Sequence, residues 1–311
     1  MSHSRLLLLV ASVLAFAACT PAGSARTKIV GYWPSWTGDP ATIEYRCLTH
    51  VMYAFALPED RGDGTLRPLR NPEVLDRIVA AAHARGVHVL LSVGGWQDGR
   101  SPGFDRLAAT PGTRARFVAA LLALVKAHRL DGIDIDWEYP KGGDNPAHYA
   151  ALMSELGAAL HARGLLLTAA VPALGGDGDS IPSGVFSCVD FLNLMAYDGG
   201  EGAAHSPIKL AEDSLAYWRS RGLPKEKAVL GVPFYGRPGY VGYARIVESG
   251  ADPEKDEFHD IHYNGLRMVR AKTRLALAQG GGVMIWELSQ DLPGSRSLLR
   301  AIYSEAEQDR N

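Results

Sequence analysis

The sequence predicts an α/β fold, a single (β/α)8 TIM barrel, from three observations. Eight β-like runs recur along roughly 280 residues, close to the ~250 typical of such barrels. Amphipathic segments with helix-boundary residues lie between most of the runs. No glycine-rich dinucleotide loop follows the first run, which weighs against the runner-up, a doubly wound sheet. Sites in these barrels gather at the C-terminal ends of the strands, so the residues that end each run carry the functional argument.

The N-terminal segment stands apart from that repeat. Arg5 precedes a largely apolar stretch, Leu6 to Ala18, which is too short for a comfortable membrane span and fits a secretory h-region. Residues 1–19 are therefore expected to be an export signal, and 20–27 ("TPAGSART") a linker. The small residues before Cys19 resemble a bacterial lipobox, which implies lipidation at Cys19. Ordinary cleavage within or just after "AFAA" is the alternative. Either way the protein is expected to be exported, as a membrane-anchored lipoprotein or in secreted form.

The barrel is expected over residues 28–305. Its runs are "KIVGYW" (28–33), "HVMYAFA" (50–56), "VHVLLSV" (87–93), "GIDIDWE" (132–138), "LLLTAAV" (165–171), "VDFLNLMAY" (189–197), "AVLGVPF" (228–234) and "GVMIWEL" (282–288). A helix over "NPEVLDRIVAAAHARG" has Asn71 as N-cap, Pro72 at its first position and Gly86 as its stop. "NPAHYAALMSELGAALHARG" repeats the device with Asn145, Pro146 and Gly164, and its Tyr149, Leu152, Met153, Leu156 and Leu160 make one helical stripe. "RFVAALLALVKAHR" and "YNGLRMVRAKTRLALAQ" supply two more helices. Cys47 and Cys188 precede the second and sixth runs. Those strands lie on opposite sides of a barrel, so two separate thiols are expected although export would permit a disulfide.

Composition narrows the partner. The chain has 311 residues, 47% of them apolar, with a formal charge of −2, and no basic surplus or charge run points to nucleic acid. A monomer that recognises its ligand by shape and specific contacts is expected.

The fourth run carries the densest chemistry. Asp134, Asp136 and Glu138 alternate with Ile135 and Trp137, so period two puts the three carboxylates on one face, neighbours roughly 6.5–7 Å apart. Glu138 would lie nearest the mouth and Asp134 deepest. Like charges this close raise one another's pKa and share protons. A carboxylic acid still protonated near neutral pH is what general-acid cleavage of a glycosidic bond requires. The alternative is a divalent-metal site, since three carboxylates can ligate magnesium or calcium.

The other run ends favour a sugar. They read "GYWPSW" (31–36), "SVGGW" (92–96), "MAYD" (195–198), "PFYGR" (233–237) and Trp286. Tyr32, Trp33, Trp36, Trp96, Tyr197, Tyr235 and Trp286 are thus candidates for a cleft rim, where aromatic faces stack on the C–H faces of sugar rings. Phosphate or a metal-bound substrate would instead ask for Lys, His or a glycine-rich loop.

"DGIDIDWEYP" resembles the DxxDxDxE signature of family 18 glycoside hydrolases, the chitinase family. "SVGG", "MAYD", "GVPFYGR" and "GGVMIWE" resemble its other landmarks in the right order, from Lys28 to about Ile302. The resemblance implies that Glu138 is the general acid and then the base, and that the substrate's own 2-acetamido group is the nucleophile, an exception to the two-carboxylate scheme. Asp136 would orient the acetamido N–H, Asp134 would exchange a proton with it, and Tyr197 would hydrogen-bond the acetamido oxygen. Trp286 would floor the −1 sugar site, and Tyr32, Met195, Asp198, Tyr235 and Arg237 would line it. Gly94 and Gly95 would permit close backbone approach, with Trp96 along the cleft. Asp131 and Ser92 would be structural. No cofactor and no metal are implied.

The resemblance leaves the polymer open. A chitin-type substrate of β-1,4-linked N-acetylglucosamine is expected. Endo-β-N-acetylglucosaminidase action on N-glycans, or peptidoglycan cleavage, is the enzymatic alternative, and a non-cleaving chitin-binding lectin is the alternative of another class. Many relatives insert a small α+β domain between strands 7 and 8. Here Arg237 to Gly281 spans only 45 residues, so a surface loop and a shallow, open groove are expected instead.

Overall fold

The computed structural model describes residues 27–97 and 101–309; the expected export signal and Cys19 lie outside them. The barrel strands are β1 (Lys28–Pro34), β2 (His50–Ala56), β3 (His88–Gly94), β4 (Gly132–Asp136), β5 (Leu166–Pro172), β6 (Phe191–Met195), β7 (Ala228–Pro233) and β12 (Gly282–Trp286). They close in the order β1-β12-β7-β6-β5-β4-β3-β2, with every pairing parallel. The helices are α1 (Pro72–His83), α2 (Phe104–Ala109), α3 (Pro111–His128), α4 (Asn145–His161), α5 (Ile208–Ser220), α6 (Tyr243–Glu248), α7 (Leu266–Gln279) and α8 (Leu298–Gln308). The links from β1 to β2 and from β5 to β6 contain only short 3-10 turns.

Strand parity divides the core in two. Val30, Tyr32, Met52, Leu90, Phe191, Val229 and Met284 point into the barrel, while Ile29, Trp33, Ile133, Ile135 and Trp137 pack in the larger cluster that takes in the helices. Trp33 is therefore a core residue rather than part of a rim. It neighbours Tyr32 in a strand, and adjacent residues face opposite ways.

Several boundaries differ from the sequence expectation. β4 stops at Asp136, not Glu138. Gly94 is the last β3 partner of β4, opposite Asp136, and the Glu138 N–H leaves the ladder to bond Ser101 Oγ at 2.9 Å. Asn71 makes no side-chain cap; its φ is 48° and its Nδ2 donates to Ser35 O at 2.7 Å. Asn145 is the first residue of α4, and Asp144 takes the cap position. The surface loop expected after Arg237 holds α6, the strand β9 (Val241–Gly242), which pairs back onto β8 (Tyr235–Gly236) just before it, and a small hairpin of β10 (Glu257–Phe258) with β11 (Ile261–His262). Two-residue strands have no period to read, so they leave no trace in the pattern. Cys47 and Cys188 are both free.

Asp131 lies at the N-terminal end of β4, away from the strand tips. Its Oδ2 accepts from His83 Nε2 at 2.8 Å and from Val89 N at 2.6 Å. Burial opposes its charge, but His88, Val89 and His83 together hold its pKa below the ordinary value. Asp131→Ala is expected to destabilise the fold by about 1–3 kcal/mol, because the Val89 N–H loses its partner. A lower urea midpoint at unchanged m would register this. The Asp131 contribution is present above its unfolded pKa and fades as pH falls through the depressed folded value. The His88 contribution runs the other way: its pKa is raised by Asp131, so it is present below the unfolded value and lost as pH rises through the folded one.

Candidate active site

A polar layer inside the barrel is built around Asp134, which is fully buried. Its Oδ2 accepts from Tyr32 Oη and Ser92 Oγ, each at 2.8 Å, and its Oδ1 from Thr168 Oγ1 at 2.6 Å and Asn193 Nδ2 at 3.4 Å. These donors come from β1, β3, β5 and β6. Burial pushes the Asp134 pKa up, and the four donors pull the other way. Tyr32 therefore lies beneath the site on Asp134 instead of lining it, and is buried.

Asp136 sits one pleat higher and is also buried. Its Oδ1 accepts no hydrogen bond. Burial, then the charges of Glu138 and Asp134, drive its pKa well above the ordinary value. Both oxygens of Asp134 accept hydrogen bonds, and the charges of Glu138 and Asp134 both act on Asp136.

Glu138 stands past the strand end, partly buried. Burial raises its pKa to about 7; the Tyr139 hydroxyl opposes this, and the charges of Asp198 and Asp177 add to it. Non-prolyl cis peptide bonds follow Ala54, Glu138 and Trp286 at three of the strand ends.

Tyr197 lies just past the end of β6, within reach of the charges of Asp136 and Glu138. Burial and the charges of Asp136 and Glu138 push its pKa well up, so its hydroxyl remains a donor. The nearest partner it has is Met284 Sδ at 3.9 Å, which leaves that donor nearly free. Gly231 makes room for the ring: a Cβ there would lie 3.0 Å from Tyr197 Cε1 and 2.4 Å from the Leu194 carbonyl oxygen. Gly94, at φ 113°, does the same on the other side, where a Cβ would lie 2.2 Å from Asp136 O. Gly95, at φ 80°, meets the Phe55 ring.

Beyond Tyr197 a second network is fixed. Tyr235 Oη donates to Asp198 Oδ2 at 2.7 Å, while Asp198 Oδ1 lies 3.1 Å from His205 Nδ1 and 3.4 Å from Arg237 Nη1. Burial works against this carboxylate, but His205, Tyr235 and Arg237 keep its pKa below the ordinary value. Arg237 also pairs with Glu201 and lies 4.0 Å from the centroid of the Tyr240 ring.

The floor is aromatic. Trp286 meets Tyr32 edge-on at 5.5 Å and stacks on Phe55 at 5.6 Å, and Phe55 meets Trp36 at 6.1 Å. Met195 packs half-buried beside this inner cluster. Trp36 and Trp96 are 49% and 58% exposed, so their faces are open for stacking. The strand ends thus bring together buried carboxyls, a phenol donor with only a long contact to sulfur, and open aromatic faces.

The family model described as Glycosyl hydrolases family 18 matches residues 28–291. The chain belongs to family 18. A probable endochitinase of Caenorhabditis elegans is 32% identical over 65% of this chain and 38% of its own length, so the chain spans well under half of that relative. The crystal structure of the GH18 chitinase ChiB from the chitin utilization locus of Flavobacterium johnsoniae has TM-score 0.80 and 30% identity, covering 92% of this chain and 95% of that one. The chitinase-like agglutinin RobpsCRA from Robinia pseudoacacia has TM-score 0.79 at 24% identity, covering 89% of this chain and 98% of that one, a likeness of fold alone. As in the sequence reading, β7 and β12 are joined without a full family 18 insertion domain among the described residues.

Thr168, Asn193, Phe55, Ser101 and His205 belong to the site but were not singled out from sequence. The first two carried a signal: each is a polar residue on the inward parity of an apolar run. Phe55, Ser101 and His205 reach the site only through tertiary contact.

Proposed function

We propose that the protein hydrolyses β-1,4-linked N-acetylglucosamine polymers, chitin or chitooligosaccharides, with retention and with Glu138 as general acid and base. The observation that carries the reading is the arrangement of carboxyls. Glu138 combines a partly exposed place past the end of β4 with a pKa of about 7, whereas Glu287, also raised to about 7, is buried. Across the cleft Asp198 is tied to Tyr235, His205 and Arg237, and Glu287 is buried on Ser289 N and Oγ. Neither is a free nucleophile, which supports attack by the substrate's own acetamide.

Glu138 gives its proton to the glycosidic oxygen as the C1–O bond breaks, and the acetamido carbonyl oxygen bonds to C1 to form an oxazolinium ion. The acetamido N–H donates to the bare Oδ1 of Asp136, which keeps its own proton and shares it by hydrogen bond with the Glu138 carboxylate just formed. The Tyr197 hydroxyl holds the acetamido oxygen in line, and Trp286 supports the ring. Glu138, now a carboxylate, takes a proton from water as that water attacks C1 and the acetamide reforms.

Exposed Trp36 and Trp96, with a short link between β7 and β12, support an open groove and endo-type, weakly processive cleavage. Export, as a lipoprotein anchored at Cys19 or in secreted form, completes the proposal. The deciding measurement is a product and anomer profile on N-acetylglucosamine oligomers beside glycoprotein and cell-wall substrates. Rapid release of β-anomers from the oligomers is expected, with activity unaffected by EDTA. Inverted products, release only from glycoprotein or cell wall, or loss of activity in EDTA would each overturn it.

A further inference from the structure

We propose that Lys272 is a positioning residue whose buried ammonium holds Ser206 and thereby keeps Tyr197 and Asp198 in place. This inference rests on the glycosidase reading above. Lys272 lies on α7 and is fully buried. Its Nζ donates to Ser206 O at 2.6 Å, Ser206 Oγ at 2.7 Å and Asn264 Oδ1 at 2.6 Å. None of these partners is a carboxylate, and a buried cation held only by neutral groups is expensive.

Donor counting shows which form of the lysine fits. Ser206 Oγ spends its own proton on Ala196 O at 2.9 Å, so toward Lys272 it can only accept. Asn264 Nδ2 donates to Ser206 O at 3.0 Å, which turns its Oδ1 toward the lysine. Three acceptors match the three N–H bonds of an ammonium, whereas a neutral amine would present a lone pair to one of them. Burial pulls the Lys272 pKa down to about 7 against the opposing charge of Asp256, and the three acceptors are what keep the proton on.

What the ammonium grips is the mouth of β6. Ala196, bonded through Ser206, immediately precedes Tyr197. His205, next to Ser206, touches Asp198 Oδ1 and lies 3.2 Å from Tyr235 O through Nε2. Gly199 N donates to His205 O at 3.0 Å, which closes the segment 197–206 on itself. Lys272 fastens that closed loop to α7 from outside the barrel, so its loss frees the two side chains nearest the acetamido site.

The test uses the full chain and a fluorogenic N-acetylglucosamine oligomer at a temperature where each variant is folded by circular dichroism. Lys272→Met is expected to lower kcat by about 10²-fold, the scale of a 1 Å misplacement, with a much smaller change in KM. In a Tyr197→Phe background the same substitution is expected to cost far less, because the group it positions is already gone. Ser206→Ala, which leaves the lysine in place, covers the case in which Lys272→Met does not fold and should lower kcat about tenfold by the same mechanism. Folded Lys272→Met or Ser206→Ala with wild-type kcat, or losses that simply add to that of Tyr197→Phe, overturn the inference while leaving the glycosidase reading intact. A wild-type protein inactive on every such oligomer overturns both.

Discussion

Glu138→Gln is expected to lower kcat on N-acetylglucosamine oligomers by about 10²–10⁴-fold, the range for removal of a general acid and base. Glutamine keeps the size of the side chain and cannot give up a proton near neutral pH. Oligomer affinity should stay close to that of the parent, because the stacking surfaces of Trp36, Phe55 and Trp286 and the network around Asp198 are untouched. Calorimetry of oligomer binding beside single-turnover kinetics separates the two quantities. A variant with near-parental turnover would remove Glu138 from the mechanism, and one that no longer binds would leave the chemistry of that residue undemonstrated by this substitution and call its placement at the scissile bond into question.

Activity should fall about tenfold for each pH unit above the Glu138 pKa, which burial sets at about 7. The sign follows from the role. The acid must be protonated to act, so the alkaline limb of kcat/KM reports its deprotonation in the free enzyme, and by pH 9 roughly a hundredth of the activity remains. Asp177 contributes to the raised value through its charge. Asp177→Asn should therefore move the limb to lower pH, by about 0.3 units for a partly screened surface charge. A limb that moves upward, or one that lies near pH 4 in the parent, would contradict the assignment.

Most of the barrel was legible because its strands, buried on both faces, read as short apolar runs, with parity alone dividing inward from outward side chains. The same alternation that set Asp134 and Asp136 against Ile133 and Ile135 also separates Tyr32 from Trp33, and applying it evenly would have moved Trp33 to the core. It would also have picked out Thr168 and Asn193, polar side chains on the inward parity of β5 and β6. The end of β4 was not legible, because it depends on where neighbouring strands stop pairing: Ser101, thirty-seven residues away in sequence, takes the Glu138 N–H. His205 and Lys272 were invisible for a related reason. Each acts through partners brought together from the segment after β6, from β8 and from the residues leading into α7, and no local spacing encodes such a meeting.

The four donors to Asp134 imply a constraint on how this molecule can be re-engineered. Tyr32, Ser92, Thr168 and Asn193 come from four strands and meet on a carboxylate supplied by a fifth. The site is thus a sensor of ring closure, since a one-residue slip in any of those strands replaces a donor with an outward-facing hydrocarbon. Half-barrel fragments and transplanted loops would carry Glu138 without the charge beneath it. Permuted chains cut at the N-terminal face, in contrast, preserve all five registers and should keep the device whole.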